Sequence, residues 1–276
     1  MSDKGAGQTQ TGLKPDVDSV YPDLSLLDLD LPDSDGEPME NERDRLQMIL
    51  VLDALDQHWH DRHDFYAAGN MFLYYSLAQA HEILAEEAEP ARPRRAFRGP
   101  DVFVVLNVDG SRRRRKWLVW EEDGRYPDVI FEFLSPSTRH NDQTTKKTLY
   151  ERTFKTSEYY WYDPYDPSIF QGWLLQPDTG YQASLPDARG WLWSPALQLW
   201  IGRWEGTYKP DAATWLRFYD QEGRLVLTPD ELAGLRQQQA EAERVRAEAE
   251  RVRAETAEAE VTRLRAELAR LRGEGH

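Results

Sequence analysis

The chain has 276 residues, 34 basic and 49 acidic side chains, a net charge of −15, and no cysteine. The missing cysteines exclude disulfide scaffolds, thiolate zinc sites and cysteine nucleophiles. No apolar run is long enough to span a membrane, and the first twenty residues lack a signal-type apolar segment, so a soluble cytoplasmic protein is expected.

Of 32 aromatic residues, 31 lie between Trp59 and Tyr219. Large aromatics dominate core burial. Three parts are therefore expected: a disordered acidic leader over 1–37, a folded domain over 38–229, and a helical tail over 230–276. The leader accounts for most of the acidity. The domain itself carries no basic excess, so bulk charge gives no drive toward DNA, and any nucleic-acid surface must be local. The alternating acidic and apolar piece Tyr21–Leu31 reads as a solvated leader, or alternatively as a docking peptide.

In chain order, 39–57 reads as a helix with Leu46, Leu50 and Ala54 on one face. The run HWHDRHD at 58–64 holds three histidines but fits no common zinc spacing, so polar residues gathered at a helix end explain it better. Phe72–Tyr75 reads as a strand. Val102–Val108 and Trp117–Trp120 flank Asp109-Gly110, which predicts a hairpin. Its arm carries Arg112, Arg113, Arg114, Arg115 and Lys116, the best local basic patch. It is a candidate nucleic-acid surface, to which Arg92, Arg94, Arg95 and Arg98 could add; a solvated arm explains it equally well. Asp128–Leu134 reads as a strand stopped by Ser135-Pro136. Residues 142–155 read as a helix capped by Asn141 or Asp142. Tyr159–Tyr162 and several Trp-rich strands follow. WLWSPALQLWIGRW at 191–204 reads as core strands rather than a stacking surface.

The tail repeats AEAERVR at 240–246 and 247–253, a seven-residue period. The register breaks near Thr256–Ala257, and Val261, Leu264, Leu268 and Leu271 resume the 3-4 spacing. A coiled coil giving a homodimer or other self-association is the first reading; a solvated single helix is the other.

The chemistry-bearing residues are Asp101, after Gly99-Pro100 at a strand start, Glu132 inside a strand, and Lys146 in the following helix. Two carboxylates and a backbone carbonyl can hold Mg²⁺, and a lysine can orient an attacking water. Asp128 shares a face with Glu132 but lies about 13 Å away, too far for one Mg²⁺ with ligands at about 2.1 Å. Glu132 therefore needs a partner from another strand, and Asp101 is the natural one. Asp142, Lys146, Tyr150 and Phe154 form one helical stripe facing the domain. Lys147 is expected to form an exposed pair with Glu151, which selects Lys146. Ser135 and Ser137 lack the setting of a nucleophile elbow.

The segment Tyr126–Pro164 resembles the Uma-two family of restriction-endonuclease-like proteins in the PD-(D/E)XK nuclease superfamily. The carrying residues are Glu132, Leu134-Ser135-Pro136-Ser137, Asp142, Lys146, Tyr150, Glu158-Tyr159-Tyr160 and Asp163-Pro164. Pro100-Asp101 and Pro38-Met39-Glu40 stand upstream. The resemblance implies an α/β restriction-endonuclease-like mixed sheet core, here with a β-rich extension and a C-terminal coiled-coil helix. It implies a metal-dependent DNA endonuclease using Mg²⁺ or Mn²⁺, with Asp101 and Glu132 as metal ligands, joined by the Phe133 carbonyl, and Lys146 as a lysine migrated from the strand. The in-line tripeptide reads Glu132-Phe133-Leu134, so the lysine must come from the helix. Glu40 is a possible first-helix acid. The alternative is a catalytically silent interaction module on the same fold.

Overall fold

The structure is a computed structural model that describes residues 30–33, 41–89, 96–135 and 139–273. Glu40, Ser137 and most of the expected leader lie outside the described residues.

Helix α1 spans Glu42–His58, followed by strands β1 (Phe65–Gly69) and β2 (Leu73–Tyr74), helix α2 (Leu77–Ala88), β3 (Val102–Leu106), β4 (Trp117–Leu118) and β5 (Val129–Phe133). A helical segment over 139–154 leads to β6 (Glu158–Tyr162). Then come β7 (Phe170–Gln176), β8 (Gly180–Ala183), β9 (Leu192–Ser194), β10 (Leu199–Tyr208), β11 (Asp211–Tyr219) and a terminal helix, Pro229–Gly273. No described helix is long and apolar enough to cross a membrane.

Six strands form the main sheet in the order β1-β3-β5-β6-β7-β8, and β11-β10-β9 form a second sheet. Only β5 and β6 pair in parallel within the main sheet, and helix 139–154 makes the crossover that a parallel pair requires. Both faces of β5 are covered, which is why VIFEF is buried throughout. One face carries Val129, Phe131 and Phe133, packed with α1 residues Val51, Ala54 and Leu55 and with Leu199, Ile201, Leu216 and Phe218 of the second sheet. The other carries Ile130 beneath Tyr150 and Phe154 of the crossover helix, with Phe103 and Val105 of β3. Gln47 ties α1 to β11: its amide donates to the Leu216 carbonyl at 2.9 Å and accepts from the Leu216 N–H at 2.8 Å.

Several sequence expectations change. The Asp109-Gly110 hairpin does not form: β4 pairs in parallel with β2, because both edges of β3 are already occupied by β1 and β5. Asn141 is not a cap. It has helical backbone angles and no capping hydrogen bond, since the helical segment already begins at Arg139. Residues 142–146 and 150–154 are π-helical turns, a rare form that often marks functional sites. The tryptophans of 191–204 lie at the rim of the core: Leu192, Leu199 and Ile201 point inward, Trp191, Trp193 and Trp200 are partly buried, and Trp204 packs against Leu46, Leu50 and Trp215. Trp193 meets Trp200 edge-on, Trp191 stacks on Tyr219, Arg189 lies over Trp191 and Trp200, and Arg217 lies over Trp204. Leu31, expected in a solvated leader, is buried against Phe72 and Tyr74.

Gly99 fixes the entry to β3. A Cβ there would lie 2.2 Å from the Met71 carbonyl oxygen, which as backbone cannot move aside cheaply. Gly99→Ala is expected to cost about 1–3 kcal/mol in urea unfolding, the range of overpacking. The same shift should displace Asp101, two residues on.

Candidate active site

The register of β3 and β5 builds the site. Val102 pairs with Phe131 in an antiparallel ladder, so Asp101, one residue earlier, falls opposite Glu132. Directly opposite side chains on such a pair are about 5 Å apart at Cβ. Asp101 is held there because its Oδ2 accepts from the Phe133 N–H at 2.6 Å.

Lys146 enters from the crossover helix. Its Nζ lies 3.0 Å from Glu132 Oε2 and 2.8 Å from Asp142 Oδ1. Tyr150, one turn on, donates its hydroxyl to Glu132 Oε1 at 2.5 Å. Tyr159 donates to the Asp142 carbonyl at 3.0 Å, which fixes the start of the π turn. Glu132 and Asp142 are fully buried, whereas Asp101 and Lys146 keep partial exposure. The cluster is therefore reached from the Asp101–Lys146 side.

Three carboxyls surround one ammonium in a space walled by Phe103, Ile130, Tyr150 and Tyr159. Burial pushes Glu132 well above the usual carboxyl range, with Lys146 opposing and Asp101 and Asp142 reinforcing. Burial also raises Asp101, with Lys146 and the Phe133 N–H opposing. For Lys146, burial acts to lower the pKa, but the attraction of Glu132, Asp142 and Asp101 outweighs it and holds the ammonium charged. Burial and the Glu132 carboxylate both raise Tyr150, so it stays a donor.

The donor set suits a hard divalent cation, which prefers carboxylate and carbonyl oxygen and retains several waters. Among the described residues no group of three or more His, Asp or Glu is arranged to hold a metal ion. The same finding covers the His58–Asp64 run, where Arg62 pairs with Asp64 at 2.8 Å and His60 with Asp61 at 3.2 Å.

Other sequence candidates fall elsewhere. Asp128 sits at the opposite end of β5 and accepts from the Leu106 N–H at 2.7 Å. Lys147 does not form the expected exposed pair with Glu151. Its ammonium lies 4.0 Å from the Trp173 ring centre, and Glu151 accepts from the Tyr181 N–H instead, at 2.6 Å. The basic run begins beyond the end of β3 remote from Asp101, and most of it is engaged within the chain. Arg114 is bidentate to Glu122 at 2.7 and 2.9 Å. Arg112 approaches Glu122 at 3.4 Å, Arg115 pairs with Asp33 at 2.5 Å, and Lys116 donates to the Leu31 carbonyl. Arg113 is exposed. Arg114 and Glu122 are 3% and 7% exposed, so Arg114→Ala should cost about 3 kcal/mol by stranding a buried carboxylate. Arg113→Ala should leave urea unfolding within about 0.5 kcal/mol of the parent.

Sequence reasoning placed Asp142 and Tyr150 on the site-facing stripe but gave neither a part in the charge cluster. The signal was present in that i, i+4, i+8 spacing, because a polar residue on an otherwise inward stripe needs a buried partner.

Residues 70–204 match the sequence model of the Uma2 family, described as "Putative restriction endonuclease". Over this segment the chain is similar to the Uma2 family. The matched span contains Asp101, Glu132 and Lys146. A crystal structure of a "putative nuclease belonging to DUF820" from Anabaena variabilis ATCC 29413 is similar over 60% of this chain and 86% of that one, at 13% identity and a TM-score of 0.38. No curated protein matches the chain.

Proposed function

We propose that this chain is a metal-dependent DNA endonuclease that hydrolyses phosphodiester bonds on the PD-(D/E)XK plan. The convergence of Asp101, Glu132 and Lys146 from two strands and the crossover helix supports this reading. Asp101 and Glu132, with the Phe133 carbonyl, would hold Mg²⁺ or Mn²⁺. Such an ion, when bound, polarises the phosphate and lowers the pKa of water.

The chain's own residues supply the rest. Asp101 is locked by the Phe133 N–H, so its remaining oxygen is presented without rotamer freedom. Tyr150 holds Glu132 in one orientation through the 2.5 Å hydrogen bond. Lys146 brings a charged ammonium to the exposed side of the cluster, where it can orient an attacking water and offset negative charge developing on the phosphate. Asp142 keeps that ammonium in place from behind. Exposed Arg113 is the member of the basic run best able to meet a phosphate.

Supercoiled plasmid incubated with Mg²⁺ or Mn²⁺ should be nicked by the parent chain, and not in EDTA or by Glu132→Ala. Cleavage that survives Glu132→Ala would remove this site from the reaction. Plasmid and linear single-stranded DNA both left intact would favour the silent interaction module, in which Lys146 permanently neutralises the acidic cluster.

A further inference from the structure

The terminal helix leaves the domain within its first two turns. Every residue from Leu235 to Arg270 is exposed, a projection of about 54 Å at 1.5 Å per residue. Val245, Val252, Val261, Leu264 and Leu268 are 45–58% exposed along it. Apolar residues recurring at 3-4 spacing on a free helix call for a partner, and the charges specify which one.

The shortest ion pairs along the projecting part of this helix join residues three apart, and Arg251 also reaches Glu255, four residues on, at 3.6 Å. Arg244 pairs with Glu241, Arg251 with Glu248, and Arg263 with Glu260, each three residues apart. Arg246, Arg253 and Arg265 have no ion-pair partner among the described residues. Setting Ala242 and Ala249 at heptad position a and Val245 and Val252 at d puts Glu241 and Glu248 at g. The paired arginines then fall at c and the unpaired Arg246 and Arg253 at e. In the second stretch Val261 and Leu268 take a, and Leu264 and Leu271 take d. Glu260 and Glu267 are then at g, with Arg265 and Arg272 at e. In a parallel two-stranded coil each g residue meets the e residue five positions on in the other strand. Among the described side chains the three contacts are Glu241–Arg246, Glu248–Arg253 and Glu260–Arg265, all of opposite charge. An antiparallel pair would set g against g and e against e, glutamate on glutamate and arginine on arginine.

We propose that the terminal helix binds the same helix of a second copy of this chain, parallel and in register, through two separate seams. Nineteen residues separate Ala242 from Val261, which turns the second stripe about 100° from the first on a straight helix. One continuous seam cannot serve both. The first register, extended, would also set Glu255 against Glu260 of the second copy. The break therefore falls between Arg253 and Glu260. Because the domain lies at the N-terminal end of this helix, parallel pairing brings both domains to one end of the assembly. If the nuclease reading holds, two Asp101–Glu132 clusters then share one side; the pairing itself does not depend on that reading.

The chain has no cysteine, so Val245→Cys and Leu264→Cys each introduce a single thiol on an exposed face. The full chain should sediment as a dimer at about 10 µM, where a pair of micromolar affinity is mostly assembled. Each single-cysteine variant should cross-link to itself under mild oxidation. Arg253→Glu combined with Arg265→Glu should raise the dimer dissociation constant about a hundredfold through four pairs turned repulsive. An equimolar mixture with the Glu248→Arg, Glu260→Arg chain should restore association as a heterodimer. A monomer at ten times that concentration, self-cross-linking at neither position, or indifference to charge reversal would overturn the proposal. None of these readouts requires cleavage activity.

Discussion

Glu132→Gln should abolish metal-dependent nicking, by about 10³-fold or more, while the folded chain tolerates the change increasingly well as pH rises. The first effect follows from the loss of a carboxylate ligand and several kcal/mol of transition-state stabilisation. The second follows from the proton balance of the cluster. Burial raises Glu132 well above its ordinary value of 4.5, so the folded state holds a proton that the unfolded chain releases. The stability this proton represents is complete below about pH 4.5 and is lost as pH climbs toward the raised value. Glutamine, close in shape to a protonated glutamic acid, does not titrate and carries no such loss. Urea unfolding of parent and variant between pH 4 and 9 should therefore show the difference moving in the variant's favour with increasing pH. A difference independent of pH would mean that Glu132 is ionised throughout and that Lys146 alone neutralises it.

Much of this site was readable in the sequence, and particular residues show why. The 13 Å span of a four-residue step on one strand separated Asp128 from Glu132, and the structure places them at opposite ends of β5. The i, i+4 stripe chose Lys146 over Lys147, and Lys146 is the lysine that reaches Glu132. What failed was information carried by tertiary neighbours. Asp109-Gly110 has strong local turn chemistry, but pairing partners decide a ladder, and β3 had no free edge. The tryptophans of 191–204 alternate with aliphatics as a half-buried strand requires, yet alternation cannot say which set faces inward. Here the aliphatics took the core and the tryptophans its rim. RRRRK read as a patch because charge in a row looks solvated. Asp33 and Glu122, outside the run itself, engage three of its charges, those of Arg112, Arg114 and Arg115.

Glu231→Ala should destabilise the chain by about 3–5 kcal/mol, although Glu231 lies outside the sheets, in the first turn of the terminal helix. Arg217 on β11 is fully buried and has Glu231 as a bidentate partner at 2.9 and 2.7 Å. The same carboxylate accepts from the Thr228 N–H at 2.8 Å, while Thr228 Oγ1 accepts from the Glu231 N–H at 3.3 Å. This is a capping box with Pro229 at the first helical position, and its loss adds to the stranding of a buried guanidinium. Burial alone would raise Glu231, but the Arg217 and Thr228 hydrogen bonds prevail and its pKa is lowered. Its contribution is therefore present above the ordinary glutamate value of 4.5 and disappears as pH falls through the depressed one. Removing both charges with Arg217→Met and Glu231→Leu should recover most of the lost stability, since an apolar pair of similar volume leaves no uncompensated charge. Urea midpoints of the two singles and the double at pH 7 measure the coupling directly. Additive losses would show that the cap and the packing, rather than the ion pair, join the terminal helix to the sheet.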